Sequence, residues 1–171
     1  MTQNHTTIEI SKEYLHFAAA HFTLFSATER ENLHGHNFHI TLEANAAIAD
    51  DGLTFDYNIL KKALKAQCDV LDEQVLMPTK SPYLKIESDD SYTYILFNDE
   101  RIPFLARDLT LLPIRNITVE EMAQYFLNQL LTRAEIQVLA INHLLLRCSS
   151  GEGQWASAQW HKQDNATETS T

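Results

Sequence analysis

Two stretches near the start of the chain carry hydrophobic side chains at every second position, which predicts β-strands. The first, "TIEISKEYLHFAAAHFTLF", alternates at its start and then enters an alanine run; we predict a strand that ends near Phe22. The second, "HGHNFHITLEANAAI", alternates more regularly, with Phe38, Ile40 and Leu42 on one face. A polar loop, "SATEREN", separates them. The two strands are therefore expected to pair across this loop.

The hydrophobic period then lengthens to three or four residues, which predicts two amphipathic helices. Asp56 is the expected N-cap of the first helix, and Thr118 with Glu121 fits a capping box at the start of the second. The apolar stripe of the first helix comprises Tyr57, Leu60, Leu64, Cys68 and Leu71. The stripe of the second comprises Val119, Met122, Phe126 and Leu130.

Alternation returns between the helices and again after the second helix. The segment "YLKIESDDSYTYILFNDERIPF" has two polar turns and predicts an inserted β-hairpin or small meander within 82–105. "VLAINHLLLRCSS" and "QWASAQWH" predict two closing strands around a "GEG" turn. The expected fold is α+β: an antiparallel four-stranded sheet with two helices on one face. Its edges would be exposed, so we expect a homo-oligomer formed by strand pairing.

Composition narrows the class of protein. The 171 residues suit one domain, predicted at 1–160, followed by a polar, disordered tail at 161–171. A formal net charge of −10 argues against nucleic-acid or anionic membrane partners, and no apolar run is long enough to span a bilayer. We expect no signal peptide. The distant cysteines, Cys68 and Cys148, favour a reducing compartment, so a cytoplasmic protein is expected.

The stretch "ENLHGHNFH" holds three of the eight histidines. His34 and His36 are two residues apart, so they share a strand face and can chelate one metal ion. His21 would lie beside them if the first two strands pair. Three imidazoles favour Zn²⁺ and leave an open coordination position, which is typical of catalytic zinc. A His-x-His pair alone is weak evidence, and His39 falls on the opposite face.

With these residues placed, the chain resembles the 6-pyruvoyl-tetrahydropterin synthase and 6-carboxytetrahydropterin synthase family. The similarity covers roughly residues 14–160 and is carried, in order, by "FAAAHF", "LHGHNF", "GLTFDYNILKKAL", "LDEQVLMP" and "TVEEMAQYF". The resemblance implies a tunnelling fold, in which subunits assemble into a barrel. It further implies a trimer or hexamer with active sites at subunit interfaces, and Zn²⁺ held by His21, His34 and His36. The usual substrate is a small-molecule pterin, 7,8-dihydroneopterin triphosphate.

The chain departs from the family pattern at three positions. Arg30 stands where the family usually has its catalytic cysteine, and Asp72-Glu73 stands where it has a catalytic Asp-His pair. Cys148 aligns best with the glutamate that anchors the pterin. The resemblance also assigns substrate contacts to the segment of Thr118 and Val119.

The first departure has a counterpart in a branch that resembles the malarial-parasite enzymes. That branch lacks the cysteine and places a glutamate just before Leu-His-Gly-His; "RENLHGH" fits this pattern and makes Glu31 the candidate proton-transfer residue. Asp72 and Glu73 remain candidate catalytic residues by the resemblance. In that branch the reaction resembles a retro-aldol cleavage that gives 6-hydroxymethyl-7,8-dihydropterin.

Three functions are compatible with these patterns. The leading one is a zinc-dependent lyase acting on a pterin side chain in folate or queuosine biosynthesis, with pyruvoyl, carboxy or hydroxymethyl pterin as the product. The second is a non-catalytic pterin- or metabolite-binding homologue, suggested by the three departures. The third is a structural zinc in an oligomeric scaffold, against which the open coordination position counts.

Overall fold

A computed structural model describes residues 4–162. Within this part of the chain, the strands are β1 His5–His21, β2 His34–Ala47, β3 Gln74–Pro78, β4 Leu84–Ser88, β5 Thr93–Phe97, β6 Glu100–Phe104, β7 Leu109–Leu112, β8 Ile141–Ser149 and β9 Ala156–His161. The helices are α1 Asn58–Leu71, α2 Val119–Leu131 and the short α3 Ala134–Gln137, with a 3₁₀ turn at Ala106–Asp108. β9 extends one residue into the predicted tail, and residues 163–171 of that tail lie outside the described part.

The main sheet has six strands in the order β7-β3-β1-β2-β8-β9. The four predicted strands β1, β2, β8 and β9 are present and antiparallel, but the prediction of a four-stranded, purely antiparallel sheet was wrong. β3 pairs in parallel with β1, and β7 pairs in parallel with β3. These two strands are only five and four residues long. Apolar runs this short do not show whether hydrophobic positions follow a strand or a helix period. Each also pairs with a strand that is distant in the sequence.

A bulge in β1 sets which face each of its side chains occupies. Pairing with β2 runs from Ser11 opposite Thr41 directly to His16 opposite His39, so four residues of β1 face one residue of β2. Before the bulge the core residue is the even-numbered Ile10, whereas Leu15, the last residue of the bulge, and Phe17 after it are the buried ones. The change of phase places His21 on the same, helix-covered face as the core.

Both helices pack on one face of the sheet, as predicted. The α1 stripe is buried at Leu60, Leu64, Cys68 and Leu71, but Tyr57 is 46% exposed because it precedes the first helical turn. Asp56 Oδ1 accepts a 2.9 Å hydrogen bond from the Asn58 amide, although the residue that directly precedes the helix is Tyr57. Asp56 therefore still accepts a hydrogen bond from an amide at the helix start, although the helix begins one residue later than predicted.

The start of α2 differs from the predicted capping box in one half. Thr118 Oγ1 accepts a hydrogen bond from the Glu121 amide, as expected. The Glu121 carboxylate does not return to the Thr118 amide; it binds the backbone amide and guanidinium of Arg115 instead. The loop before α2 is thereby tied to the first turn of the helix.

The insertion between the helices is a three-stranded antiparallel meander, β4-β5-β6. It builds a second, smaller core, whose buried members are Phe22, Leu24, Met77, Ile95 and Phe97. Two of these residues, Phe22 and Leu24, belong to the loop between β1 and β2. The insertion therefore packs directly against that loop. Among residues 4–162, the helices are too short or too polar to cross a bilayer.

Candidate metal centre and active-site pocket

Three histidines converge where β1 ends and β2 begins. His21 pairs with His34 in the antiparallel register, and Ala19 pairs with His36, so the three rings occupy adjacent positions on one sheet face. One ring nitrogen from each histidine lies within 4.8 Å of the others. The strand pairing expected from the sequence has therefore brought His21 to the His-x-His pair. His39 lies on the opposite face, where its ring is 5.8 Å from that of His16.

The hydrogen bonds of the cluster leave nitrogen lone pairs directed at its centre. Nδ1 of His34 lies 2.8 Å from the Asn32 carbonyl oxygen. A carbonyl oxygen can only accept, so Nδ1 carries the proton and Nε2 is free to bind a metal. That Nε2 lies 3.0 Å from Nε2 of His36. Two imidazole nitrogens this close are well suited to share one cation.

His21 supplies the strongest indication that the cluster fits a metal. Its side chain is buried, yet among the described residues neither ring nitrogen makes a hydrogen bond of standard geometry, and the backbone of Ile117 has only a minor effect on the pKa of the ring. Burial, followed by the neighbouring His34 and His36, lowers the pKa of His21 to about 4. The ring is therefore neutral at physiological pH, which is the state that binds a metal. A buried polar group without a partner is costly, and a cation would satisfy it.

Glu31 stands beside this cluster. Its Oε2 atom is 4.0 Å from Nε2 of His34 and accepts a 2.9 Å hydrogen bond from the backbone amide of Thr23. Partial burial raises the pKa of Glu31, but the Thr23 hydrogen bonds and the neighbouring His34 and His21 outweigh burial, and the pKa lies below the ordinary value. The carboxylate is therefore ionised at neutral pH and able to accept a proton.

A pocket of about 370 Å³ contains these groups. Its histidine end comprises His21, His34 and His36, with Glu31 and Thr23 at one side. The rest of its lining includes Ile117, Thr118, Val119, Glu120, Ser150, Gln154, Trp155 and Ala156. Thr118 and Val119 are thus brought to the same pocket as the candidate metal ligands. Glu120 and Trp155 also line the pocket, although no sequence motif marks them. Their only signals are the adjacent Thr118-Val119 pair and the position of an aromatic residue just after the "GEG" turn.

Asp72 and Glu73 are not brought to this pocket within one chain. They form a corner between α1 and β3: Oδ1 of Asp72 accepts a 2.7 Å hydrogen bond from the Ala18 amide, and the Glu73 amide donates to the Ala18 carbonyl, also at 2.7 Å. Glu73 adopts a φ of 58°, in the left-handed region that non-glycine residues seldom occupy. Glu73 lines another groove beside β1 and β2, to which His36 also contributes.

Cys148 is also outside the pocket. It lies in β8 on the core face with no exposed surface, and burial raises the pKa of its thiol far above the ordinary value. The substrate contact that the resemblance implies at this position therefore has no access to the pocket in this arrangement. Glu152, in the turn that follows, lines a neighbouring cavity on the other side of Trp155.

The fold and the site can be compared with known proteins. The sequence model of the 6-pyruvoyl tetrahydropterin synthase family matches residues 9–159. This chain belongs to that family. The resemblance noted in the sequence is confirmed. Membership of the family supports a function of the pterin synthase type.

Relatives come from archaea and from malarial parasites. A Methanocaldococcus jannaschii protein named "Putative 6-carboxy-5,6,7,8-tetrahydropterin synthase" is 28% identical over 144 residues, which cover 83% of this chain and 88% of that protein. The 6-pyruvoyl tetrahydropterin synthase of Plasmodium falciparum superposes with a TM-score of 0.86 at 30% identity, covering 92% of this chain and 99% of its own. A Plasmodium vivax enzyme also has a TM-score of 0.86, at 27% identity, with 93% and 99% covered. That structure is a variant in which a glutamate, described as a catalytic residue, is replaced by alanine.

Proposed function

We propose that this chain is a zinc-dependent lyase that cleaves the side chain of 7,8-dihydroneopterin triphosphate, giving 6-hydroxymethyl-7,8-dihydropterin. The observation that carries the proposal is the position of Glu31. Its carboxylate lies 4.0 Å from a candidate metal ligand and lines the same pocket. The catalytic glutamate named for the P. vivax relative supports the same choice. Within the family, Glu31 then takes the acid–base role usually given to a cysteine.

His21, His34 and His36 would hold the zinc ion. When bound there, zinc supplies Lewis-acid chemistry: it makes a coordinated hydroxyl of the substrate more acidic. The orphaned nitrogens of His21 and the Nδ1 hydrogen bond of His34 fit this role. The bond to the Asn32 carbonyl also fixes the orientation of the His34 ring, as outer hydrogen bonds commonly do for metal-binding histidines.

Glu31 performs the proton transfer in this scheme. Its carboxylate removes the proton from the hydroxyl of the second side-chain carbon, and the bond between the first and second carbons breaks. The second carbon leaves as the aldehyde of a triphosphate-bearing fragment. The electron pair passes into the pterin ring system, and the first carbon, which stays on the pterin, takes up a proton to become the hydroxymethyl group. The Thr23 amide holds the carboxylate in its ionised, accepting form.

Thr118 and Val119, which line the same pocket, would contact the pterin. We propose in addition that the chain is a homo-oligomer, a trimer or hexamer, with sites at subunit interfaces. Asp72 and Glu73 do not line the pocket that holds the three histidines, and Cys148 lies inside the core. These positions support an assembled site, in which residues of more than one subunit meet. A partner subunit is the available route by which a distant carboxylate could approach the pocket.

The test is product analysis. Purified protein loaded with zinc is mixed with 7,8-dihydroneopterin triphosphate, and the products are identified by mass spectrometry. We expect 6-hydroxymethyl-7,8-dihydropterin. A 6-pyruvoyl or 6-carboxy product would assign the chain to another reaction of the family. Thermal stabilisation by the pterin with no turnover at high protein concentration would favour the non-catalytic pterin-binding alternative.

A further inference from the structure

Arg30, the residue directly before Glu31, is enclosed by aromatic rings. Its guanidinium carbon lies 4.7 Å from the centroid of the Phe22 ring and 5.8 Å from that of the Phe97 ring. The side chain is only 18% exposed. Phe22 belongs to the loop after β1, whereas Phe97 ends β5 in the inserted meander. Arg30 therefore joins two parts of the chain that are separated by more than sixty positions in the sequence.

The nitrogens of Arg30 are also engaged in hydrogen bonds. Nε and Nη2 both donate to Oε2 of Glu100, at 2.8 and 2.5 Å. Nη1 donates to the backbone carbonyl oxygen of Glu31 at 2.7 Å. A guanidinium is planar and permanently charged, so these bonds fix its orientation as well as its position. One side chain thus connects the first residue of β6 to the main chain of Glu31.

The Glu31 backbone is otherwise held by its own loop. The Glu31 amide donates to the Thr23 carbonyl at 2.9 Å, and the Thr23 amide donates to the Glu31 carboxylate. Arg30 forms an isolated β-bridge with Leu24, which is buried against the meander in the second core. The loop therefore rests on the inserted sheet, and it is also tied to the segment before α2, where the Asn116 side chain bonds both the amide and the carbonyl of Leu24. Loops without such support move readily.

The Arg30 side chain does not line the pocket that holds Glu31 and the histidines. Its donors are already directed at Glu100 and at the Glu31 carbonyl, which leaves it poorly placed to bind a substrate phosphate. Its contacts instead suit a role that acts through Glu31. Proton transfer depends steeply on geometry, and a displacement of about 1 Å can lower a rate roughly 10²-fold.

We propose that Arg30 is a positioning residue, which couples the inserted meander to Glu31 through its ion pair with Glu100 and its place between Phe22 and Phe97. The meander then holds in place the loop between β1 and β2, which carries Glu31. This inference rests on the proposed role of Glu31 in proton transfer, but its structural part can be measured without turnover.

The first measurement is amide hydrogen exchange in the full-length, zinc-loaded protein. Arg30→Met and Glu100→Gln are compared with Glu135→Gln. Glu135 is a matched control, because it also pairs with an arginine, Arg133, and its side chain is 51% exposed, as is that of Glu100. Exchange at the amides of Thr23 and Glu31 should speed up about fivefold to tenfold in Glu100→Gln, because a charge-assisted bond is weakened. In Glu135→Gln it should stay within twofold of the wild type.

The second measurement separates kcat from KM with the pterin substrate. Glu100→Gln should lower kcat by roughly fivefold and Arg30→Met by roughly tenfold or more, with KM within twofold and zinc content unchanged. The double variant should be no slower than Arg30→Met, since both changes remove the same connection. Arg30→Lys, which keeps the charge, should recover part of the loss.

Three outcomes would overturn the proposal. They are unchanged exchange at Thr23 and Glu31 in Glu100→Gln, equal losses in Glu135→Gln, or a raised KM with an unaffected kcat, which would make Arg30 a substrate ligand. Glu100→Gln keeps the inference testable if Arg30→Met fails to fold, because Glu100 is on the surface. If the wild type has no turnover, the proposed function fails. The exchange comparison still tests whether Arg30 couples the meander to the loop that carries Glu31.

Discussion

The backbone amide of Thr23 donates a 2.9 Å hydrogen bond to Oε2 of Glu31 across the loop that joins β1 to β2. This bond holds the carboxylate beside the histidine cluster. It also stabilises the ionised carboxylate, which contributes to the lowered pKa of Glu31. A loop residue that carries no apolar pattern is thereby held as an ionised carboxylate, as the proposed proton transfer requires.

Zinc content tests the ligand set. The full-length protein and the variants His36→Ala and His39→Ala are purified under the same conditions, and bound zinc is measured by elemental analysis. We expect His36→Ala to lose zinc, because two imidazoles seldom retain it against a competing chelator. His39 is the control, since it lies on the opposite sheet face beside His16. Equal zinc content in the two variants would contradict the assignment of His36.

The pKa of His21 predicts how the metal-free protein responds to acid. In the folded chain this pKa is lowered to about 4, whereas the ordinary value is 6.5. Between these two pH values the unfolded chain binds more protons than the folded chain. The contribution of His21 to the free energy of unfolding should therefore be fully present above pH 6.5 and should be lost as the pH drops towards 4. A shift of this size corresponds to roughly 3 kcal/mol.

This expectation is checked by denaturant unfolding of the metal-free protein across that pH range, with His21→Gln as the comparison. Glutamine does not titrate, so the variant should lose less free energy of unfolding on acidification than the wild type. Parallel pH dependences in the two proteins would show that His21 is not buried in its neutral form.

Thiol labelling tests the packing beneath the site. Burial raises the pKa of Cys68 to about 12, and Cys148 is equally buried with its pKa raised further. The reactive species is the thiolate, so neither cysteine should be alkylated in the native protein at mildly alkaline pH. Both should react once denaturant is added. Rapid native labelling of Cys148 would mean that β8 opens to the pocket, which would restore this position as a substrate contact.

The parts of the fold that could be predicted are those in which hydrophobic positions repeat regularly over a long stretch of sequence. Alternation in β2 and the helical stripe of α1 identified both elements, and the closeness of His21 to His34 and His36 followed once the first two strands were taken to pair. The bulge after Ser11 could not be read from the sequence, since residues 12–15 carry no distinct signal. The phase of His21 relative to the core therefore became clear only in the structure.

The strands that were not predicted, and the position of Asp72 outside the pocket, have different causes. β3 and β7 are short and pair in parallel through contacts with distant segments, which local patterns do not encode. Asp72 was predicted to be catalytic by resemblance, whereas its carboxylate binds the Ala18 amide within the chain. The Arg30–Glu100 pair joins segments too distant for any motif.

The central claim is that Glu31 carries out proton transfer at a zinc site, and single-turnover kinetics test it most directly. Zinc-loaded wild type, Glu31→Gln and Glu29→Gln are each mixed in excess with 7,8-dihydroneopterin triphosphate, and product formation is followed by mass spectrometry. Glu29 is the control, because it is an exposed glutamate on the same loop. We predict that Glu31→Gln retains its zinc but forms product at least about 10²-fold more slowly, while Glu29→Gln matches the wild type. A Glu31→Gln variant as fast as the wild type would contradict the account.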